Sequence, residues 1–227
     1  MEILHRDDLE RGGFGGLKET RMVMDRRVFE GRANAGTWEG IGNFVYLADA
    51  RFMPNGETGL HSHKEIDVLS VMVEGRIAHE GSLKHGQSMD GCDIQAQRAG
   101  GEGFSHNEIN PDDTGNRMIQ IWVLPERAGE PAGYKIYHPK ETKLTRVYGG
   151  STDQDDTFDS HTLIDVGLLS VAEKVAVGGP FLAYVTRGSG HINGETVGDG
   201  DLVRGENLEF SAVEPTQLIV VHTDEFN

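Results

Sequence analysis

No stretch of this chain places apolar residues at the i, i+3, i+4, i+7 spacing of a long amphipathic helix. Set beside 31 glycines and 7 prolines in 227 residues, that absence limits the fold to short strands joined by tight turns. Asn43-Phe44-Val45-Tyr46-Leu47-Ala48 reads as one strand, and residues 67–73 as another. The second is closed by Glu74-Gly75 and answered by Arg76-Ile77-Ala78-His79, the pattern of a hairpin. Residues 118–124 form an apolar run stopped by Pro125, as a central strand ended by a non-donor would be. The fold class is all-β.

The second half repeats this style. Residues 163–171, 181–186, 208–212 and 217–221 are β-rich. Turn chemistry separates them at Arg187-Gly188-Ser189-Gly190, Asn193-Gly194 and Gly198-Asp199-Gly200-Asp201. Val73-Glu74-Gly75-Arg76-Ile77 has a loose echo in Val185-Thr186-Arg187-Gly188 followed by His191-Ile192. The expectation is two β-barrels in tandem, over residues 1–130 and 151–227, with a connector at 131–150 that begins near Arg127-Ala128-Gly129-Glu130-Pro131.

Charge narrows the partners. With 37 acidic and 21 basic side chains the formal net charge is -16, and no basic run exists for a phosphate backbone to meet. An acidic surface suits a basic protein patch better than a nucleic acid. No apolar stretch is long enough to span a bilayer, and the charged opening Met1-Glu2-Ile3-Leu4-His5-Arg6 is not signal-like. Cys92 is the lone cysteine, so no intrachain disulfide forms and a reducing cytoplasm is the expected compartment.

The chemistry lies in the first half. His61-Ser62-His63 is an alternating pair, and on an extended backbone i and i+2 face the same side. A second alternating pair follows in His106-Asn107-Glu108, after the turn Gly100-Gly101-Glu102-Gly103. If both stretches face one barrel interior, three imidazoles and a carboxylate meet there. That donor set suits a first-row divalent metal and leaves positions for water, substrate or dioxygen. A lone His-x-His is more often a surface feature; two alternating pairs favour a metal site.

These residues resemble a family. His61-x-His63, Asp67 and Gly75 look like a first cupin motif, and Ala99-Gly100-Gly101-Glu102-Gly103-Phe104-Ser105-His106-Asn107-Glu108 like a second. The His-x-Glu ending and the following Gln120-Ile121-Trp122-Val123-Leu124-Pro125 are similar to the pirin family of bicupins. The resemblance implies two jelly-roll-like cupin barrels, of which only the first binds metal. It implies His61, His63, His106 and Glu108 as ligands, with Glu108 also the catalytic group. The ion would be one divalent transition metal, iron first, with Mn, Co, Ni, Cu or Zn as alternatives. The activity implied is that of a quercetin 2,3-dioxygenase, acting on a small aromatic substrate with dioxygen. The alternative is a non-catalytic metal-dependent sensor that contacts a protein partner. The chain departs from the family near its start, where Gly16-Leu17-Lys18-Glu19-Thr20-Arg21-Met22-Val23-Met24 stands in place of a Gly-Trp-Leu-type run.

Other polar residues read more plainly. Asp67 is a polar residue at a strand start, with a lesser reading as a group orienting an imidazole. His79 and His85 read as exposed turn residues, Cys92 as a small buried side chain, and His191 and His222 as surface or packed histidines. Lys174 and Ala176 stand where a second barrel would need imidazoles. Asp153-Gln154-Asp155-Asp156-Thr157-Phe158-Asp159 lacks the glycine and terminal Glu of an EF-hand and reads as a solvated loop.

Overall fold

The computed structural model describes residues 1–83 and 87–224, and the chain folds as two compact units. The N-terminal unit comprises Leu9–Glu39 and Phe44–His138; the C-terminal unit comprises Met1–Asp8, Gly40–Asn43 and Pro139–Asn227. Both are antiparallel β structures. Among the described residues the α-helix Arg26–Phe29 stands alone, capped where the Asp25 carboxylate accepts the Arg27 backbone N–H. No described helix is long and apolar enough to cross a membrane.

The N-terminal unit holds two sheets. The larger runs in the order Gly133–Tyr137, Ile94–Arg98, Asp67–Glu74, Arg117–Val123, Phe44–Phe52, Leu17–Met24, Arg11–Phe14. The smaller runs His61–His63, Phe104–Ile109, Arg76–Gly81, Gln87–Asp90. Asp67–Glu74 and Phe44–Phe52 are buried along nearly their whole length, which is why their sequences are continuous apolar runs rather than alternating ones.

The turn at Gly75 differs from the hairpin expected of it. Asp67–Glu74 pairs with Ile94–Arg98 and Arg117–Val123, whereas Arg76–Gly81 pairs with Phe104–Ile109 and Gln87–Asp90. Gly75, at φ 69°, carries the chain out of one sheet into the other, and a Cβ there would stand 2.9 Å from the Cβ of Asn116. A left-handed glycine serves a hairpin and a corner equally well, so local sequence does not distinguish them.

The division of the chain also differs from 1–130, 131–150 and 151–227. Residues 131–150, expected as a connector, carry two strands: Gly133–Tyr137 pairs with Ile94–Arg98, and Lys143–Gly150 with Ser160–Leu169. The first residues belong to the C-terminal unit, where Glu2–His5 lies along Asp201–Ala212 with Glu2 ion-paired to Arg204. Pairing across some two hundred positions leaves no local pattern to read.

The C-terminal sheet runs Lys143–Gly150, Ser160–Leu169, Thr216–Thr223, Lys174–Arg187, Asp201–Ala212, Ser189–Ile192, Glu195–Gly198. Phe181, Val185, Leu208, Phe210, Leu218 and Val220 fill its core. Buried Asp165 accepts from Arg146 Nε at 2.7 Å and faces His222 Nε2 at 2.8 Å. Burial pushes its carboxyl up, but the hydrogen bonds from His222 and Arg146 outweigh that and hold it below its ordinary value. A depressed folded-state pKa contributes stability above the unfolded value, about 3.9, and loses it as pH falls through the folded one. Asp165→Asn is therefore expected to cost about 1–3 kcal/mol at pH 7, since hydrogen bonds to a charged group are lost. In urea titrations that gap to wild type should narrow as pH drops below about 4; a gap independent of pH would refute the carboxylate's role.

Candidate metal centre

His61–His63 lies antiparallel to Phe104–Ile109, with His63 opposite Phe104 and His106 opposite His61. Residues opposite one another across a strand pair share a face, as do i and i+2 along a strand. The two distant stretches are thus neighbouring strands, and their three imidazoles project together. His106 Nε2 lies 3.0 Å from His61 Nε2 and 3.2 Å from His63 Nε2. One nitrogen from each of the three histidines falls within 4.8 Å of the others. On its other side Phe104–Ile109 places His106 opposite Gly81, where a Cβ would meet Ser105 O at 2.2 Å and His106 Cα at 2.8 Å. Only glycine permits that approach.

Protonation is set by the same geometry. His61 Nδ1 lies 2.9 Å from Gly59 O and donates to it, which leaves Nε2 as the nitrogen turned to the cluster. Burial, with the neighbouring imidazoles adding to it, pushes His106 down to about 2 and His63 down to about 4. Both are neutral at pH 7. Two imidazole nitrogens held at right angles about 2.1 Å from one ion stand about 3.0 Å apart, close to the spacings here. Converging lone pairs at this separation fit a divalent transition metal, which the three Nε2 atoms would hold.

Glu108, expected as the fourth ligand, is not part of that cluster. Its carboxylate accepts the Ser70 hydroxyl at 2.8 Å, and burial raises it to about 7 against that hydrogen bond. It does line the same cavity as His61 and His63, a space of about 500 Å³. Leu17, Phe52, Ile66, Met118 and Trp122 make this cavity largely apolar, and the Trp122 ring meets His63 edge-on at 5.6 Å. The segment that departs from the family pattern supplies Leu17, Glu19 and Arg21 to the cavity wall. There Tyr46 donates to Glu19 at 3.1 Å and Arg21 pairs with the same carboxylate at 2.6 Å.

The remaining candidates lie elsewhere. The Asp67 carboxylate accepts from Arg98 Nε at 3.4 Å and from the Ala99 N–H at 3.3 Å. His79 corrects its expectation as an exposed turn residue: it is 1% exposed, on a strand that continues to Gly81. Its inward placement repeats that of Ile77, a period-two signal present in the sequence. Cys92 is half-buried, and His85 lies outside the described residues. His191 is exposed, and His222 is packed against Asp165. Residues 153–159 form a loop exposed at Asp153, Asp155 and Asp156 and buried at Thr157, whose N–H donates to Gln154 Oε1 at 2.9 Å.

Comparison with known proteins follows the same lines. The Pirin family model matches residues 30–123, which contain all three histidines and Glu108. Over those residues the chain is similar to pirins. A pirin-like protein of Caulobacter vibrioides is 26% identical over 189 residues, covering 76% of this chain and 80% of that one. The quercetin 2,3-dioxygenase of Escherichia coli K12 is 32% identical over 78 residues, 34% of this chain and 33% of its own. Among solved structures, the bacterial pirin YhhW of Escherichia coli in complex with nickel(II) superposes with a TM-score of 0.83 at 18% identity over 99% of both chains. The chain therefore shares that protein's fold over nearly its whole length.

Proposed function

We propose that this pirin-like chain holds one divalent transition metal between His61, His63 and His106 and oxygenates hydroxylated aromatic compounds of the flavonol kind. The observation that carries the reading is an open apolar cavity whose wall bears two of the clustered imidazoles and a carboxylate. Its apolar and aromatic lining suits a flat ring system. A relative named for quercetin dioxygenation supports the same substrate class. A sensor that turns nothing over could seal its ion; here His61 and His63 stay partly exposed at the cavity wall, which favours the enzyme.

When bound, the ion supplies Lewis acidity that stabilises a substrate hydroxylate. The apolar wall orients the ring and excludes water. Ser70 fixes Glu108 through Oε1, and Oε2 takes the proton of the substrate hydroxyl, the general-base role. Glu108→Gln is expected to keep the histidine-bound metal and lower oxygen uptake by about 10²–10⁴-fold. The test of the reading is oxygen consumption by protein loaded separately with Fe, Mn, Co, Ni, Cu or Zn, across flavonols and catechols. Uptake with none of them would end it.

A further inference from the structure

His106 has a second polar edge. Its Nε2 faces His61 and His63, while its Nδ1 is buried with no hydrogen-bond partner. A ring that ligates through Nε2 carries its proton on Nδ1, and such rings ordinarily donate that proton to a group that sets tautomer and angle. Outside the cluster, the imidazole packed against His106 is that of His79, with ring centroids 5.4 Å apart and planes tilted by 57°. His79 is held in turn: Gln97 Nε2 lies 3.2 Å from His79 Nε2, and Gln95 Nε2 donates to Gln97 Oε1 at 2.7 Å. All three side chains are buried, and Gln95 Oε1 is a buried acceptor with no partner. Burying this row of polar groups costs desolvation that an apolar filling would avoid.

We propose that His79 is a positioning residue of the metal centre: backed by Gln97 and Gln95, it fixes the His106 imidazole by sharing one water with its Nδ1–H. A buried water accepting there has polar partners close at hand, as such waters require. This rests on the reading of the three histidines as ligands. It assigns His79 a task distinct from ligation: holding a ligand at the right angle.

The test is Co(II) binding by the full chain, read by chelator competition and by the visible spectrum of the bound ion. His79→Phe, which keeps the volume and removes the polar edge, is expected to bind Co(II) about 10–100-fold more weakly and with a shifted spectrum. His79→Gln, which keeps a hydrogen-bonding group, is expected to restore most of the affinity. Wild-type affinity and spectrum in His79→Phe, beside lost affinity in His61→Ala, would overturn the positioning role alone. Wild-type binding in both variants would remove the metal centre itself. A His79→Gln variant no better than His79→Phe would reduce His79 to packing and likewise overturn the proposal. Should His79→Phe not fold, Gln97→Leu takes its place: a shifted Co(II) spectrum with weaker binding supports the role, and an unchanged spectrum refutes it.

Discussion

His61→Ala should abolish tight metal binding and leave the fold standing. The imidazole is one of three nitrogens converging within 4.8 Å, so its loss removes a ligand outright. Structural metal sites with four ligands bind with about 10–16 kcal/mol, which puts one ligand at about 2.5–4 kcal/mol. That corresponds to roughly 100- to 1000-fold in affinity. The structural cost is small because His61 is partly exposed on a three-residue strand, where substitutions change stability by about 1 kcal/mol or less. Two measurements separate these effects. Chelator competition with Co(II) or Ni(II) reads the affinity. Thermal melting reads the linkage: metal at about 100 times its Kd stabilises wild type by about 2.7 kcal/mol, and the same concentration should scarcely move the variant. Ser62→Ala is the control. Ser62 points away from the cluster, its hydroxyl 2.7 Å from that of Ser105, and its loss should leave metal affinity unchanged. Equal affinity in wild type and His61→Ala would mean that the imidazole cluster is not the site.

The reach of sequence reasoning follows from which interactions are local. His61, His63 and His106 were legible because a strand's period of two maps sequence spacing directly onto a face. That Ser62 would oppose Ser105, making the two stretches adjacent strands, was not, because pairing partners are chosen by the whole sheet. The corner at Gly75 reads as a hairpin because φ is local and strand partnership is not. His79 was set aside as a turn residue for its nearness to Glu80-Gly81, yet Gly81 lies in strand, where its missing side chain lets the His106 strand come close. For Glu108 the resemblance supplies a role, whereas its hydrogen bond from Ser70 comes from a residue with no motif to announce it. Buried ionic pairs are the hardest to foresee. Arg117 begins an apolar run and by composition belongs on the surface, but it is wholly buried.

That burial makes Arg117 a sensitive structural position. Its guanidinium meets Asp49 in a forked contact, Nε to Oδ1 at 2.9 Å and Nη2 to Oδ2 at 2.5 Å. Ile119 is the residue directly opposite Asp49, so Arg117, two positions earlier, reaches the carboxylate diagonally on the same face. With the two side chains 0% and 1% exposed, the pair is desolvated on both sides. Bringing two charges out of water costs nearly as much as their attraction returns, so the pair adds little net stability while making each member dependent on the other. Arg117→Met removes the guanidinium and leaves a buried carboxylate behind, which is expected to cost about 3–5 kcal/mol. For a unit of this size that is a fall of roughly 10–20 °C in melting temperature. Asp49→Leu should cost a similar amount. The double variant Asp49→Leu/Arg117→Met should recover to within about 1 kcal/mol of wild type, because no isolated charge remains. Denaturant melts of the four proteins measure the coupling directly. Additive losses in the double variant would show that Arg117 is held by packing and its other contacts rather than by its charge partner.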